Sequence, residues 1–513
     1  MKGRTWILGL AVLLLLWPQP AGAEKKIKEG TITLSFGPEP ETMDPHTQSS
    51  AILVTVHRYV FDTLMHRPRG EKLPVPWAAK SYKTLDGGRT IEFHMREGVT
   101  FTNGEDVDAE AVQFSLMRTH DPKFKTVQRP TFRNIARVDV VSKWVARVHM
   151  NGPDGGFLNT LAAWGHLVPP KYYSKISQED AAIKPIGSGP YKMVSWRKGV
   201  GMTLEANLNH WHPEYPKVKG VRIAPIPEMG TRVAALLKGE VDIIRDIPAQ
   251  YVPQIRANPN VDVHIDRNVR IFQVGFDPMG GPTLDRRVRR AVCHAVDRKT
   301  IVKDVVQGMG EVFDQPTHQW TEGYDPNRKW PYEYDPQMSK KLLAEAGYPD
   351  GFSIGFISSV GRYPMDKEVA EAVAGMLGNV GIKVKHESLA WQTFVNRFQG
   401  QKKPGAKPYL YYYGYGNGNG DSNEALGAMA TCEGKWSGYC NPAMDALFDV
   451  VIGVWDMGER ERVFRLIVKA MAKDASQCIV WQANDVYGIN KRVAYKIRND
   501  DKIDIWEADL KTR

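Results

Sequence analysis

Apolar and polar residues alternate in some stretches of the chain and follow helical spacing in others, so the sequence predicts both strands and helices. Alternation over residues 31–36 and 91–95 predicts strands. The Asp-Gly-Gly run at 86–88 predicts the turn of a hairpin before the second strand, because glycine adopts the positive φ angles that tight turns require. Amphipathic spacing predicts helices over residues 52–64 and 107–117.

The residue pattern over positions 271–308 predicts a strand, a turn and two successive helices. The run 271–276 alternates and is rich in strand-forming residues, and the Pro and Gly residues after it interrupt the pattern. Asp285 is predicted to cap the first helix, because its carboxylate can accept from free N–H groups of the first turn. One apolar stripe follows at helical spacing: Val288, Ala291, Val292 and Ala295. Asp297 is predicted to cap the second helix, which Gly308 ends.

The composition is that of a globular protein with more than one domain. The chain has 513 residues, of which 42% are hydrophobic and 25% charged. This length exceeds what one ordinary core accommodates, so two or three lobes are expected. The formal net charge of +10 is spread along the chain rather than gathered in blocks, which does not indicate a nucleic-acid groove.

The first 23 residues have the features of a cleaved signal peptide. Lys2 and Arg4 give a positive start, and residues 6–17 are apolar but shorter than the roughly 20 residues that span a bilayer. Residues 21–23 form a small-x-small cleavage site, so we predict cleavage after Ala23, with an uncleaved membrane anchor as the alternative. No cysteine follows the apolar run, and we therefore predict a periplasmic protein that is not a lipoprotein.

The region around the first predicted helix resembles the signature of a known family. The run DRRVRRA at 285–291, with AVDR at 295–298, is similar to the central signature of the family 5 extracellular solute-binding proteins of ABC importers. That family includes dipeptide, oligopeptide, opine and nickel receptors. Residues 76–104 and 334–352 are also similar to it, and the resemblance covers nearly all of the chain after the predicted signal peptide.

The resemblance implies an α/β fold, that of a two-lobed periplasmic binding protein of type II, cluster C. It implies a first lobe over residues 24–273, with an extra subdomain at about 57–185. The second lobe would span 274–480, and residues 481–513 would return to the first lobe. The ligand cleft of such a protein lies between the lobes.

The resemblance also implies ligand contacts in two loops and at the start of a helix. In relatives the loop after the first strand is directed at the cleft, which implies Met43 and Ser49 as contacts. In dipeptide-binding relatives an arginine anchors the ligand carboxylate, and Arg362 is the nearest match, with a surface role as the alternative. Trp391 matches a tryptophan that precedes a helix, where it either lines the cleft or belongs to the core.

Aromatic, amide and glycine residues are concentrated at 411–421. Glycine lets the backbone approach a ligand closely, and aromatic rings with amides are a usual lining of small-molecule sites. The residues expected to contact the ligand are Tyr413, Tyr415, Asn417, Asn419 and Asp421. Peptide-binding relatives carry an aspartate that binds the ligand α-amine at the position of Gly418, and it stays open whether Asp421 replaces it. A purely structural glycine loop is the alternative.

Four cysteines in an exported chain allow up to two disulfide bonds. Cys432 and Cys440 lie in a loop-like run, and dipeptide-binding relatives have a pair at similar spacing, so we predict a bond between them. Cys293 lies in the region of the helical stripe and Cys478 in an apolar, strand-like run. We predict that these two are buried thiols, with a second disulfide bond as the alternative.

These features predict a periplasmic receptor that captures a peptide or similar small polar solute and delivers it to the permease of an ABC importer. An opine or another small organic anion, nickel and haem are alternative ligands. A secreted hydrolase is the alternative of another class, but we identify no Gly-x-Ser-x-Gly nucleophile elbow, no His-Glu-x-x-His motif and no convincing nucleophile–base pair. We expect a monomer with no cofactor, no metal, no catalytic residue and no nucleic-acid partner.

Overall fold

The computed structural model describes residues 25–37, 39–47, 51–277, 280–400, 407–498 and 500–511. The predicted signal peptide lies outside these residues. Within the described ranges, no helix has the length and apolar character needed to cross a membrane.

Strands and helices alternate along the described chain. The strands are β1 Lys28–Ser35, β2 Met65–His66, β3 Val75–Pro76, β4 Ala79–Leu85, β5 Thr90–Met95, β6 Ile135–Ser142, β7 Val145–Met150, β8 Tyr191–Arg197, β9 Gly201–Ala206, β10 Val218–Ile223, β11 Ile243–Ile244, β12 Val261–Gly275, β13 Gly310–Glu311, β14 Phe352–Ser359, β15 Ile382–Leu389, β16 Tyr409–Gly416, β17 Cys478–Asn490, β18 Val493–Ala494 and β19 Asp509–Leu510. The helices are α1 Ala51–Val60, α2 Ala109–Met117, α3 Arg129–Phe132, α4 Phe157–Trp164, α5 Pro170–Tyr173, α6 Gln178–Ala181, α7 Met229–Lys238, α8 Val252–Arg256, α9 Arg286–Ala295, α10 Arg298–Thr300, α11 Pro336–Glu345, α12 Asp366–Gly378, α13 Trp391–Gly400, α14 Ser422–Ala430, α15 Pro442–Ile452 and α16 Met457–Asp474.

Two long strands, β12 and β17, connect the two halves of the main sheet. Its strand order is β15-β14-β16-β12-β17-β11-β1-β10-β9-β8, with β13 also paired to β17. The first part of β12 pairs antiparallel with β17, and the register is interrupted between Arg267 and Ile271. Beyond the interruption β12 pairs with both β17 and β16. The chain therefore passes from one half of the sheet to the other at this interruption.

Separate hydrophobic clusters lie on the two sides of the interruption. One cluster joins β1, α1, β8 to β10 and the C-terminal segment, and includes Tyr59 and Trp506. A second joins α9, β14, α12 and the start of β17, and includes Phe272 and Trp481. A third fills the space between α2 and the four-stranded sheet β4-β5-β7-β6, around Phe93. Each of these parts therefore buries its own core.

The predicted strand and first helix of residues 271–308 are confirmed. Asp285 accepts a hydrogen bond from the backbone N–H of Arg287 at the start of α9, and all four residues of the predicted stripe are buried. The second helix is shorter than predicted. Asp297 caps α10, and Ile301–Val305 then winds as a π-helix before Gly308 takes a φ of 73°. The wider turn places Ile301 and Val306 in the second core.

The prediction of buried thiols at Cys293 and Cys478 is wrong. α9 lies against the start of β17, so the Cα atoms of these residues are 5.2 Å apart and their sulfurs form a disulfide bond. Cys432 and Cys440 form a second bond, as predicted. Spacing along the chain reveals a short-range pair. A long-range pair depends on which helix meets which strand, and hydrophobic periodicity does not encode that.

We expect replacement of both Cys293 and Cys478 by alanine to lower the free energy of unfolding by about 5 kcal/mol, because the bond closes a long loop of the unfolded chain. The Cys432→Ala, Cys440→Ala variant is the control. Its cysteines are separated by 8 positions rather than 185, so the loss should be smaller. Denaturant titration measures both losses, and non-reducing peptide mapping should recover the two linked pairs. Free thiols at Cys293 and Cys478 would contradict the assignment.

Two buried histidines carry no charge in the folded protein at neutral pH. Nε2 of His46 lies 3.0 Å from the carbonyl oxygen of His166, and Nε2 of His57 lies 3.0 Å from that of Thr42. Burial is the largest cause that lowers the pKa of each ring to about 4. The unfolded chain takes up protons on both rings near pH 6.5, whereas the folded chain does not.

We therefore expect the free energy of unfolding to be highest above about pH 6.5 and to fall as the pH drops towards 4. One pKa unit corresponds to about 1.4 kcal/mol, so the two rings together account for several kcal/mol. Urea titrations of the His46→Gln, His57→Gln variant should show a weaker pH dependence over this window. His264→Gln, at a half-exposed position, should keep the wild-type dependence. An unaltered slope in the double variant would refute the assignment.

Candidate functional site

A cavity of about 190 Å³ lies where the loop after β16 faces α4 and the C-terminal segment. It brings together three of the predicted site residues, Tyr415, Asn417 and Asn419. Charged residues that the sequence analysis did not single out also line it: Arg270, Glu424, Asp500, Asp501 and Lys502. The cavity therefore joins side chains from distant parts of the chain next to the interruption in β12.

Bonds from the first half of the sheet and from the C-terminal segment hold the loop that borders this cavity. β16 pairs with β12 as far as Gly416, which lies opposite Arg270. Beyond this point Lys502 Nζ donates to the carbonyl oxygen of Gly418, and the guanidinium of Arg67 donates to that of Asn419. These bonds place the backbone of residues 417–419 against the cavity.

Ion pairs neutralise two of the acidic residues that line the cavity. Asp500 is paired with Arg498 and Lys502 at 2.7 and 3.2 Å, and Asp501 with Arg245 and Arg270 at 3.1 and 3.4 Å. Burial lowers the pKa of Lys502 to about 8. Each aspartate therefore has one cationic partner that lines the cavity and a second that lies behind its wall.

Two hydrogen-bond acceptors at the cavity are only partly satisfied. Glu424, in the first turn of α14, accepts from the side-chain amide of Asn419, and the described residues provide no ion pair for it. The Glu424 side chain is exposed to solvent. Asn417 is 8% exposed, and its Oδ1 accepts no hydrogen bond within the described part of the chain. A bound molecule with N–H donors would satisfy both groups.

A larger cavity of about 1180 Å³ adjoins the first one. It lies between the loops around α3 and the helices α14 and α15, and shares Trp164, Tyr415, Asn419 and Glu424 with the smaller cavity. The backbone N–H of Gly155 donates to the carbonyl oxygen of Ile452 at 2.8 Å beside it. The two cavities together therefore provide room for a ligand longer than the smaller one holds.

Asp421 lines the larger cavity, but its carboxylate is already engaged. It caps α14 by accepting from the backbone N–H of Asn423, and Oδ1 lies 2.6 Å from Nη2 of Arg460. Nε of Arg460 lies 3.0 Å from Glu322, so the buried guanidinium holds two carboxylates. Burial raises the pKa of Asp421 against the opposing charge of Arg460. This arrangement favours a structural role for Asp421.

Arg362 and Trp391 lie together, outside the lining of both cavities. The guanidinium carbon of Arg362 lies 5.3 Å from the ring centre of Trp391 and 4.9 Å from that of Tyr363. Arg362 is exposed, and no ion pair to it occurs among the described residues. Trp391 is half-buried and stacks on Trp436 at 5.7 Å. Arg362 is therefore a cation available to a ligand or to solvent.

Met43 and Tyr413 line neither of these two cavities. Met43 is fully buried in the core that contains β1 and α1. Tyr413 is 1% exposed and donates from its hydroxyl to the carbonyl oxygen of Trp436 at 3.2 Å, within an aromatic cluster. Ser49 lies outside the described residues. Of the predicted residues, the structure therefore places Tyr415, Asn417, Asn419 and Asp421 along the two cavities.

The sequence pattern of the bacterial extracellular solute-binding proteins, family 5 (middle region), matches residues 74–437, which is well over half of the chain. The chain belongs to this family. The glutathione-binding protein GsiB of Escherichia coli (strain K12) is 25% identical over 492 residues, covering 93% of this chain and 91% of that protein.

Solved structures show the same two-lobed fold as this family 5 protein. HbpA2 from Haemophilus parasuis superimposes with a TM-score of 0.83 at 22% identity, covering 94% of this chain and 100% of that one. The ABC transporter-associated periplasmic binding protein DppA from Helicobacter pylori, in complex with the peptide STSA, superimposes with a TM-score of 0.78 at 24% identity. The match covers 95% of this chain and 99% of that one. The protein is thus an α/β, two-lobed periplasmic binding protein, as expected.

One short motif in this family 5 protein matches a hydrolase signature in sequence but not in structure. Residues 351–355 read Gly-Phe-Ser-Ile-Gly, a Gly-x-Ser-x-Gly run that the search for a nucleophile elbow in the sequence overlooked. A nucleophile of this type sits on a sharp turn between a strand and a helix. Ser353 lies inside β14 instead, where it pairs in register with Lys383 of β15. The strand geometry does not provide the exposed turn that this chemistry needs.

Sequence reasoning missed the charged residues of the cavity for a physical reason. Asp500, Asp501 and Lys502 follow one another near the C-terminus, where a short run of charges is typical of a solvated surface. Glu424 comes three residues after Asp421, the cap of α14. Residues three apart at the start of a helix lie on the same side of it. Extending the glycine-rich run by one helical turn would have identified Glu424. Nothing local would have placed residues 500–502 at the same site.

We expect Asp421→Asn to lower the free energy of unfolding by about 3–5 kcal/mol, because it leaves part of the charge of Arg460 buried without its partner. Asparagine caps helices as well as aspartate, so the substitution isolates the ion pair. Asp456→Asn is the matched control, since Asp456 caps α16 and the described residues show no ion pair to it. Denaturant titration should therefore find a large loss only at position 421. Equal effects of the two substitutions would contradict this role.

Proposed function

We propose that this protein is the periplasmic receptor of an ABC importer, which captures a peptide or similar small polar solute in its cleft and delivers it to the membrane permease. The observation that carries the proposal is the cavity beside the interruption of β12, whose wall combines residues 415–419, 424 and 425 with residues 500–502. Its unsatisfied acceptors call for a polar ligand. Binding and release are all that this function requires.

The names of two relatives support a peptide-like ligand. One relative is a glutathione-binding protein, and glutathione is a tripeptide. One of the solved structures holds the peptide STSA. The cleft of this chain has the polar acceptors and the aromatic rings of Trp164 and Tyr415 that such ligands use. We infer that the ligand belongs to this class, although the position of the usual amine-binding aspartate is Gly418.

We further infer that export removes residues 1–23 without adding a lipid, and that the mature chain acts as a monomer. The predicted lobes, 24–273 and 274–480 with a return over 481–513, are consistent with the hydrophobic clusters. The cluster around Tyr59 includes residues from both ends of the described chain, and the cluster around Phe272 lies within residues 271–481. The four-stranded sheet supports an extra subdomain at about 57–185.

A thermal-shift screen of peptides, opines, sugars and dicarboxylates tests the proposed ligand class. A solute that binds only the folded protein stabilises it by about 2.7 kcal/mol at a hundredfold excess over its Kd. We expect short peptides to raise Tm in a concentration-dependent manner and sugars to leave it unchanged. A rise of Tm with dicarboxylates or opines alone would contradict the peptide assignment and favour an organic anion.

We expect Arg362→Ala to weaken binding of a carboxylate-bearing peptide by more than tenfold, because a hydrogen bond to a charged group contributes about 1.5–3 kcal/mol. Without ligand, Tm should match the wild type, since Arg362 is exposed and no described residue forms an ion pair with it. Arg137→Ala is the control, because Arg137 pairs with Asp139 at a distant exposed site. Calorimetric affinities that are equal in all three proteins would remove Arg362 from the site.

A further inference from the structure

The loop between α15 and α16 reaches across to the turn between β4 and β5. Trp455, in this loop, packs against the hydrophobic cluster around Phe93, whose other described members all lie within residues 64–211. Its indole lies directly on Gly88, so that a Cβ atom at this position would overlap Nε1 and Cδ1 of the ring. Trp455 therefore enters a core that belongs to a distant part of the chain.

Beside the indole, backbone atoms from the two sides meet with no side chain between them. The N–H of Gly155 donates to the carbonyl oxygen of Ile452 at 2.8 Å. A Cβ atom at Gly155 would overlap the carbonyl oxygen of Val454, and one at Gly156 would overlap the carboxylate of Asp421. Such a close approach depends on glycine at both positions.

This contact borders the larger cavity. Pro153 lines that cavity from the side of the four-stranded sheet, and Ile452 lines it from the side of α15. Arg270, at the interruption of β12, lines the smaller cavity and not the larger one. The two sides are thus covalently joined beside the smaller cavity, whereas beside the larger one they touch through contacts that can separate.

We propose that Trp455 is a positioning residue for ligand capture: its contact with Gly88 forms when the lobes close, and it sets the rate at which the ligand leaves. We call this pair, with the Gly155–Ile452 bond, the latch contact. The inference rests on the proposed function, since release matters only for a receptor. A contact made in the closed state alone stabilises that state over the open one and so slows opening. Trp455 lines neither cavity, so it acts without touching the ligand.

The latch contact carries a cost that keeps it reversible. Nε1 of Trp455 is buried and has no acceptor among the described residues. A buried donor without a partner loses its hydration, and opening to water restores that hydration. Burial of the aromatic ring therefore favours closing, and the unpaired N–H favours opening.

Alanine at two adjacent glycines tests the proposal in the full mature protein. Gly87 and Gly88 both have positive φ angles, 63° and 87°, so alanine strains the backbone at either position. An added Cβ meets Trp455 at Gly88, whereas at Gly87 it meets nothing within 4 Å. Gly87→Ala is therefore the matched control for Gly88→Ala.

Hydrogen exchange of the Gly155 amide reports the latch contact directly, because the acceptor of this amide lies on the other side. It is measured with and without a saturating mixture of tetrapeptides built from Ala, Gly, Leu and Ser. We expect exchange to be at least tenfold faster in Gly88→Ala than in the wild type, and unchanged in Gly87→Ala.

Trp455→Ala separates the latch contact from general packing. In stopped-flow measurements with the same peptide mixture we expect at least tenfold faster dissociation, with the association rate changed less than twofold. Adding Gly88→Ala to this variant should have little further effect, because the ring that the new Cβ meets is gone. Trp144→Ala is the control: Trp144 packs against the same cluster, so its loss should lower stability and leave dissociation unchanged.

Equal exchange and dissociation rates in Gly88→Ala and Gly87→Ala would overturn the latch contact and leave the receptor function intact, as would additive effects of Gly88→Ala and Trp455→Ala. A wild-type Gly155 amide that exchanges like an unprotected one, with and without peptides, would also overturn it. If no peptide binds, the peptide assignment fails, and exchange in the absence of peptides decides the latch contact by itself.

Discussion

The pairing of β12 with β17 is the constraint on which the rest of the structure depends. These two strands run side by side from Val261 to Val274, and they link hydrophobic clusters that otherwise share few elements. Where their register is interrupted, between Arg267 and Ile271, three residues of β12 have no partner in β17, and Arg270 pairs with Gly416 of β16 instead. Arg270 lies in this gap and reaches both Asp501 and the ring of Tyr363. The smaller cavity therefore lies beside the longer of the two register interruptions between these strands.

Local rules predicted the elements of this fold much better than their contacts. Asp285 caps α9 as predicted, because a cap depends on a few neighbouring residues. The stripe that follows it is buried as predicted, because helical spacing decides which side chains share a face. The bond between Cys293 and Cys478 was not predicted, since it depends on the packing of α9 against β17. The two-lobed fold itself followed from a resemblance and not from periodicity.

The candidate site shows the same division between local and long-range information. Composition identified the loop with Tyr415, Asn417 and Asn419, because aromatic and amide residues between glycines are unusual in a purely structural turn. It did not separate Tyr413, whose side chain points into an aromatic core, from Tyr415, which lines the cavities. Side chains along β16 alternate between the two faces of the sheet, so neighbouring positions can be told apart from the sequence. Tyr413 and Tyr415 are two positions apart and lie on the same face, so alternation does not separate them. Tyr413 stacks on Trp436 and donates to its carbonyl oxygen, whereas Tyr415 lies near the end of the strand and lines the cavities.

The bond between Cys293 and Cys478 has a mechanical consequence for the two halves of the main sheet. It attaches the first residue of β17 to α9, deep in the second lobe, while the far end of β17 pairs with β11 in the first. A covalent anchor at one end prevents the strand from sliding along its neighbour. A rotation of one half of the sheet against the other would then have to bend the backbone, and the stretch between Arg267 and Ile271, where β12 lacks partners in β17, resists bending least.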